Sequence, residues 1–138
     1  VAAAIGSAVA AIEIVDSRIA GWDISIVDTV ADNASSGMFA VSGQRVPFED
    51  VDVLAARMSM TRNGEVVSTG TGAACLGHPL NAVLWLARAA AGLGEPLLAG
   101  ELVLSGALGP LVPVEPGDHV RAEITGLGSV DVQFSREE

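Results

Sequence analysis

The sequence contains no lysine. All seven basic residues of the 138 are arginines, they face 17 acidic residues, and the formal net charge is −10. Without a lysine, the chain cannot form a Schiff base with a carbonyl substrate or use a lysine as a general base. The acidic balance and the lack of a basic stripe also argue against nucleic acid and against anionic membrane surfaces. We therefore expect no nucleic-acid partner and no membrane partner.

Cysteine and long apolar runs are also scarce. The single cysteine, Cys75, cannot form an internal disulfide, so a reducing cytoplasm is the expected location. No apolar run approaches the ~18 residues that a membrane span needs, and no basic segment precedes the first apolar run as it would in a signal peptide. Half of the residues are nevertheless hydrophobic. This predicts either an apolar surface buried in an oligomer or an alanine- and valine-rich core alone.

The hydrophobic pattern predicts one α+β domain over residues 1–138, with a mixed, largely antiparallel sheet curled into a roll and flanked by helices. The first helix is expected over residues 1–12, where apolar residues recur at helical spacing. The clearest helix begins at His78-Pro79 and ends at Gly92, because proline favours the first turn and glycine favours the end.

Strands are expected mainly after residue 38. Segments 53–61 and 65–69 flank Asn63-Gly64, and this dipeptide between two strand-like runs is a strong hairpin signal. The other predicted strands cover residues 38–41, 102–104, 119–125 and 129–134. Residues 135–138 are expected to form a solvated tail.

A density of oxygen donors follows the first apolar run and suggests a cation site. Glu13, Asp28 and Asp32 could bind a hard cation, because Mg²⁺ prefers oxygen ligands. In the structural alternative, Glu13 pairs with Arg18, while Asp32 and Asn33 cap a turn. From spacing alone the structural alternative is favoured.

Small-residue turns and three reactive side chains have structural explanations of their own. The loop over residues 70–77 lacks the lysine of a phosphate-binding loop, so a close-packed turn is expected. Cys75 is expected to be a buried, inert thiol, His78 a helix cap and His119 a surface residue. The turn Ser105-Gly106-Ala107 either presents backbone N–H groups to an anion or simply ends a strand.

Five segments together resemble a known family. They are AIEIVDSRI (11–19), DTVADNASSG (28–37), NGEVVSTGTGAACLGHPLNAVLWLA (63–87), LAGELVLSGAL (98–108) and PGD with GLGSVDVQF (116–118 and 126–134). They are similar to the C-terminal half of the fumarylacetoacetase-like superfamily. The branch is that of 2-hydroxypenta-2,4-dienoate hydratases (2-keto-4-pentenoate hydratases) and 4-oxalocrotonate decarboxylases, and the match covers nearly the whole chain in order.

The resemblance implies a fumarylacetoacetase C-terminal-like fold and a Mg²⁺ or Mn²⁺ site built from three carboxylates. Glu13, the glutamate of the EIVDSR motif, would be the third ligand. The other two belong to a Glu-x-Glu motif upstream, with an assisting lysine earlier still. This sequence has neither, so it resembles a family member lacking its N-terminal portion, and the other ligands are expected upstream of residue 1.

The activity implied by the resemblance is hydration of 2-hydroxypenta-2,4-dienoate-type substrates to 4-hydroxy-2-oxo acids. The reaction would be metal-dependent and pass through an enolate, within the meta-cleavage degradation of aromatic or steroid compounds. Two alternatives stay open: a 4-oxalocrotonate decarboxylase, and a non-catalytic fragment or subunit. Expected partners are further copies of the chain, a downstream aldolase, or a paired decarboxylase or hydratase.

The resemblance also assigns site residues. Asp32 and Ser35 are predicted to be catalytic through proton handling. Asp28 and Asn33 are predicted to bind or orient the substrate. The turn Ser105-Gly106-Ala107 is the predicted cradle for the substrate carboxylate.

Overall fold

The computed structural model describes residues 1–136, and within that range all strand pairs are antiparallel. The strands are β1 (Ser7–Ala8), β2 (Ala11–Val15), β3 (Ser36–Val41), β4 (Val46–Pro47), β5 (Arg57–Arg62), β6 (Glu65–Thr71), β7 (His119–Ile124) and β8 (Gly128–Gln133). The helices are α1 (Ile26–Ala31) and α2 (Pro79–Gly92). The predicted α+β class with a largely antiparallel sheet is confirmed. The predicted tail, 135–138, lies partly outside the described residues.

The main sheet has four strands in the order β6-β5-β7-β8, and two two-stranded ribbons, β1–β4 and β2–β3, accompany it. Asn63 and Gly64 turn β5 into β6 with positive φ angles of 54° and 89°, as a tight hairpin requires. The Asn63 amide nitrogen donates to Asp118 Oδ1 at 2.7 Å, and its oxygen accepts from the His119 backbone N–H at 2.9 Å. The predicted hairpin is confirmed, and the asparagine also joins it to the start of β7.

The predicted helix over residues 1–12 is wrong. Residues 2–4 form only a single 3-10 turn, Ser7 and Ala8 pair with Pro47 and Val46, and β2 begins at Ala11. The alanines that favour a helix locally are used here for close packing, because Ala10 is completely buried in the core. Pairing with distant strands therefore overrides the local preference.

The predicted strand at 102–104 is also wrong, because residues 93–118 contain neither helix nor strand. Scattered bonds attach this segment to the main sheet. The Thr71 N–H donates to the Leu108 carbonyl at 3.1 Å, and Ser68 Oγ donates to the Pro110 carbonyl at 2.9 Å. An apolar run becomes a strand only where a neighbouring strand accepts its backbone bonds, and residues 102–104 find none in the described chain.

Helix α2 begins where the sequence predicts. His78 occupies the N-cap and accepts the Leu80 N–H on Nδ1 at 3.1 Å, and Pro79 takes the first helical position. The helix ends at Gly92, and Gly94 follows with a φ of 85°. Neither described helix is long and apolar enough to cross a membrane.

The core lies between the β2–β3 ribbon and the main sheet, and its residues are mostly small. Both strands of this ribbon contact β8. The buried cluster consists of Ala10, Ala56, Ala122, Ile124, Leu127 and Val130. No large side chain in the described chain is fully buried. Ile12 and Ala40, which pair across the ribbon, pack against this cluster, whereas the next pair, Glu13 and Phe39, is exposed.

Candidate functional site

The Asp32 carboxylate, directly after helix α1, is held by two residues that follow β2. Arg18 Nη1 lies 3.3 Å from Asp32 Oδ1, and the Arg18 backbone N–H donates to Oδ2 at 3.0 Å. Ser17 Oγ donates to the same Oδ2 at 3.3 Å. The Asp32 side chain is only 14% exposed. A guanidinium and two further donors therefore orient this carboxylate.

The turn after Asp32 stores backbone strain. Asn33, Ala34 and Ser35 have consecutive φ values of 50°, 56° and 56°. Each left-handed residue other than glycine costs on the order of 1–3 kcal/mol, and such residues cluster at functional sites. Backbone bonds retain the conformation: the Ser35 N–H donates to the Asp32 carbonyl at 2.8 Å, and the Asp16 N–H donates to the Ser35 carbonyl at 2.9 Å.

Ser35 carries a buried hydroxyl without a partner. The residue is 5% exposed, and within residues 1–136 its Oγ has no hydrogen bond. Leaving such a group unpaired costs roughly 1–3 kcal/mol. An unpaired hydroxyl beside an oriented carboxylate in a strained turn can bind a substrate oxygen or a water molecule. Resemblance identified Ser35 from the sequence, but only the fold shows that its hydroxyl is buried and unpaired.

Glu13 lies on the opposite, exposed side of the ribbon from the core. It stands in register with Phe39 of β3. The expected Glu13–Arg18 pair is wrong, because the Arg18 guanidinium bonds to Asp32 and, through Nη2, to the Ser36 carbonyl at 2.6 Å. The register of β2 directs the Glu13 side chain away from Arg18. The chain reverses direction through α1, and this reversal brings Asp32 next to Arg18.

The three carboxylates suggested from spacing do not form a metal site. In the described part of the chain, no three histidine, cysteine, aspartate or glutamate side chains lie close enough to bind one ion together. Glu13 is exposed on the ribbon, Asp32 forms an ion pair with Arg18, and Asp28 caps the start of α1. A hard cation needs several oxygen ligands, so these residues alone do not fit a metal centre.

Asp28 completes a capping box at the start of α1. Its Oδ2 accepts the Ser25 backbone N–H at 2.8 Å and the Ser25 hydroxyl at 2.6 Å. These hydrogen bonds hold the pKa of Asp28 below the ordinary aspartate value. The geometry gives Asp28 a role in fixing α1, and its contact with substrate stays a prediction.

The predicted carboxylate cradle packs against Cys75. The Cys75 thiol donates to the Ser105 carbonyl at 2.9 Å, and a Cβ at Gly106 would lie 3.0 Å from the sulfur. Burial raises the pKa of Cys75, so the thiol stays protonated and is a poor nucleophile. Among residues 1–136 no hydrogen bond or ion pair joins residues 105–107 to the Asp32 cluster. The role of this turn stays a prediction.

Polar and charged side chains on β7 and β8 form a network on the surface. His119 Nε2 lies 3.1 Å from Asp131 Oδ1, and Arg121 Nη1 lies 2.8 Å from Asp131 Oδ2. All three side chains are at least two-fifths exposed. The expectation that His119 is a surface residue is confirmed.

Sequence reasoning missed the pairing of Ser17 and Arg18 with Asp32. The available signal was the Asp16-Ser17-Arg18 triplet directly after β2, because polar residues at a strand end are free to turn toward a neighbouring element. Together, Asp32 and Ser35 offer an oriented proton acceptor and an unpaired hydroxyl. Such a pair can position a substrate and move a proton.

Comparison with known proteins identifies a family and two similar hydratases. A profile described as "Fumarylacetoacetate (FAA) hydrolase C-terminal" matches residues 2–135. The 2-keto-4-pentenoate hydratase of Paraburkholderia xenovorans (strain LB400) is 56% identical over 131 residues, which are 95% of this chain and 49% of that protein. The TodF product hydratase of Pseudomonas putida (strain F1) is 57% identical over 133 residues, covering 96% and 50%.

Among solved structures, the chain is similar to the 4-oxalocrotonate decarboxylase from Pseudomonas putida G7 complexed with magnesium and adipate. The TM-score is 0.92 at 42% identity, over 97% of this chain and 51% of that one. The chain thus spans about half the length of the curated relatives and of the solved protein that it matches.

Proposed function

Because the chain belongs to the fumarylacetoacetate hydrolase C-terminal family, we propose that it serves in a hydro-lyase that converts 2-hydroxypenta-2,4-dienoate-type acids into 4-hydroxy-2-oxo acids. The predicted family and fold are confirmed. The observation that carries the proposal is the 56–57% identity to two proteins named as hydratases, over at least 95% of this chain. The proposed setting is the meta-cleavage degradation of aromatic compounds.

The proposed reaction needs proton transfers and one addition of water. The dienol loses its hydroxyl proton and gains a proton at C5, which gives the 2-oxo-3-enoate. Water then adds as hydroxide at C4 and a proton at C3, which gives the 4-hydroxy-2-oxo acid. In this proposal Asp32 accepts and returns a proton, and Ser35 donates its unpaired hydroxyl to a substrate oxygen. The orientation of Asp32 by Arg18 and the unpaired Ser35 hydroxyl support these roles.

Substrate binding is proposed for residues on either side of this pair. Asn33 follows Asp32 in the strained turn and is exposed to an incoming ligand. Asp28 acts by fixing α1 through its capping box. Gly106, with a φ of 122°, lets the turn 105–107 present backbone N–H groups to the substrate carboxylate.

A divalent ion, Mg²⁺ or Mn²⁺, is part of the proposal only for a longer protein. The solved relatives are complexed with magnesium or with calcium. In this chain Glu13 is the acidic residue that the family motif assigns to an ion, and the described residues do not surround it with others. An ion there would need carboxylates from outside residues 1–136, and no step above depends on one.

Decarboxylation of 4-oxalocrotonate is the second candidate function. The observation that favours it is the TM-score of 0.92 to a 4-oxalocrotonate decarboxylase at 42% identity. When the C5–carboxylate bond breaks, its electron pair forms the C4=C5 bond and the charge moves to the 2-oxygen as a dienolate. In this second candidate the unpaired Ser35 hydroxyl donates a hydrogen bond to that oxygen. Its lower identity than that of the named hydratases places it second.

A chimera provides the decisive test. This chain would replace the matching segment of the P. xenovorans hydratase, so that the remaining half is supplied by that protein. We expect loss of the dienoate absorbance with formation of 4-hydroxy-2-oxopentanoate by NMR. Release of carbon dioxide from 4-oxalocrotonate without hydration would favour the second function. If a folded chimera lacks both activities, that result would support a non-catalytic subunit.

The proposed protein partner follows from the chemistry of the product, and the proposed cellular location follows from the cysteine content. A 4-hydroxy-2-oxo acid can undergo retro-aldol cleavage, so an aldolase is a fitting downstream partner. The single cysteine suits the reducing cytoplasm. Assembly into a homo-oligomer is the other proposed association, and sedimentation of the chimera would measure it.

A further inference from the structure

One guanidinium group contacts the chain on both sides of the strained turn at residues 33–35. Arg18 Nη1 lies 3.3 Å from Asp32 Oδ1, directly before the turn, and Arg18 Nη2 donates to the Ser36 carbonyl at 2.6 Å, directly after it. Nη1 also donates to the Asp16 carbonyl at 3.4 Å, two residues earlier in the chain. A single side chain therefore joins the segment after β2 to both flanks of the turn.

The turn needs restraint from outside, because its own side chains provide little. Ala34 has no polar group, and Ser35 Oγ has no hydrogen-bond partner within residues 1–136. Three consecutive left-handed residues persist only where the surrounding structure determines them more than once. The two hydrogen bonds of the Ser35 backbone provide the first restraint, and the contacts of Arg18 provide the second.

Strand β3 is irregular directly after the turn. The register of the ribbon shifts between Ile14 and Val15, and Gly37 is the extra residue of the resulting β-bulge. An ideal Cβ at Gly37 would lie 2.8 Å from the Ile14 carbonyl oxygen, so this position requires glycine. Bulges beside functional sites change the direction of neighbouring groups. In this bulge the Ser36 carbonyl is the group that accepts the guanidinium.

An arginine suits this arrangement better than a lysine would. Its donors form a rigid planar fork, whereas an ammonium group is one compact charge on a flexible stem. The Arg18 side chain is 54% exposed, so its ion pair contributes little to the overall stability. The contacts of Arg18 are therefore expected to matter for the geometry of the turn more than for folding.

We infer that Arg18 is a positioning residue, which sets the Asp32 carboxylate and the Ser35 hydroxyl in a fixed relative orientation. It acts through the two flanks of the turn and not through contact with the substrate. This inference rests on the proposed function, in which the carboxylate exchanges a proton while the hydroxyl holds a substrate oxygen. Because both groups act on one substrate, displacing one relative to the other should slow proton transfer more than it weakens substrate binding.

The kinetic test places Arg18→Lys in the chimera with the P. xenovorans hydratase. We expect kcat to fall by about tenfold to a hundredfold, while KM changes by less than about threefold. In a chimera that already carries Ser35→Ala, the same substitution should lower kcat by a smaller factor, because the two changes disturb one unit. Should Arg18→Lys fail to fold, Arg18→Gln is measured in the same way.

Arg62→Lys is the matched control. Arg62 also combines a carbonyl and a carboxylate, since its Nη1 donates to the Pro113 carbonyl at 2.8 Å and its Nε lies 4.0 Å from Asp118 Oδ2. It belongs to β5 of the main sheet, and neither of its contacts involves residues 32–36. Its replacement by lysine should leave both kcat and KM unchanged.

A second measurement does not depend on activity. In this full chain of 138 residues, NMR chemical shifts and three-bond couplings report the backbone angles of residues 33–35. We expect the left-handed set in the wild type and in Arg62→Lys. In Arg18→Lys the same signals should shift toward an average with extended conformations, while circular dichroism verifies that the chain is folded.

Three results would overturn the inference. The first is an Arg18→Lys protein in which the turn or kcat is unchanged. The second is a rise in KM at unchanged kcat, which would make Arg18 a substrate-binding residue. The third is an equal fall of kcat in Arg62→Lys. An inactive wild-type chimera would overturn the proposed function instead, and loss of the turn in Arg18→Lys would still support the positioning by Arg18.

Discussion

At the scale of single residues, two buried serines differ in one respect that bears on function. Ser35 and Ser68 are each 5% exposed. Ser68 Oγ donates to the Pro110 carbonyl at 2.9 Å, whereas Ser35 Oγ has no partner within residues 1–136. A buried hydroxyl with a hydrogen bond stabilises the fold, whereas a buried hydroxyl without one lowers stability. The Ser35 hydroxyl is therefore the better candidate for binding a ligand.

Ser35→Ala should leave the free energy of unfolding unchanged or raise it, because it removes an unpaired buried group. Ser68→Ala should lower it by about 1 kcal/mol, since it breaks a buried hydrogen bond. Urea unfolding of both variants measures the difference. In the active chimera, Ser35→Ala should also lower the hydration rate. Equal destabilisation by the two substitutions would show that the Ser35 hydroxyl is paired after all.

Ala34 supports a second prediction, because it is left-handed with a φ of 56° and is not glycine. Ala34→Gly should raise the free energy of unfolding by about 1 kcal/mol, since glycine adopts this conformation without steric cost. Ala87→Gly, inside α2, should lower it by about the same amount. Thermal melts of the pair provide the measurement. A destabilised Ala34→Gly chain would mean that the turn is unstrained.

At the scale of elements, the capping box decides how α1 is held beside the site. Helix α1 has only six residues, too few for a helix to persist in water by propensity alone. It is fixed by Ser25 and Asp28 at its start and by the Asp32–Arg18 contact at its end. Loss of either end should loosen the strained turn that carries Ser35.

Asp28→Ala should lower the melting temperature at neutral pH, with Asp23→Ala as the control outside the capping box. The pKa of Asp28 is lowered in the folded chain by its bonds to Ser25. Its stabilising contribution is therefore present above the ordinary aspartate value of 3.8 and is lost as the pH falls through the lower folded value. The difference between wild type and variant should shrink in acid. A difference that grows in acid would contradict this assignment.

At the scale of the whole molecule, two close approaches attach irregular segments to the main sheet. Gly70 of β6 lies against the Leu108 backbone, and Gly72 lies against the Val53 carbonyl. An ideal Cβ at Gly70 would lie 1.7 Å from the Leu108 oxygen, and one at Gly72 would lie 1.8 Å from the Val53 oxygen. Only glycine permits these contacts, which hold Leu108 against β6 and Val53 against the residue that follows β6.

Gly70→Ala should therefore lower the free energy of unfolding by about 3 kcal/mol or more, because backbone atoms cannot move aside cheaply. Gly43→Ala is the control, since nothing lies within 4 Å of its ideal Cβ. Urea titration of both variants decides the matter. A Gly70→Ala chain as stable as the control would show that residues 108–109 do not pack on β6.

Family and the locally encoded elements could be predicted from the sequence. Asn63-Gly64 specifies its hairpin because both residues tolerate a positive φ, and His78-Pro79 specifies the start of α2 because a capping side chain and proline suit that position. Five short segments sufficed for the family, and they include the motif residues Glu13, Asp32 and Ser35.

Three features depend on the tertiary structure alone: the pairing of the N-terminal strands, the ion-pair partner of Arg18 and the burial of Ser35. Ser7 pairs with Pro47, and Arg18 reaches Asp32 across the turn containing α1. These contacts join residues far apart in the sequence, and their energies depend on packing that no local pattern encodes. The helix predicted for residues 1–12 is therefore wrong, and this segment instead contributes β1 and the start of β2. The sequence by itself determined the family and the short-range turns. The tertiary structure decided which side chains contact each other, because those contacts depend on strand register and burial.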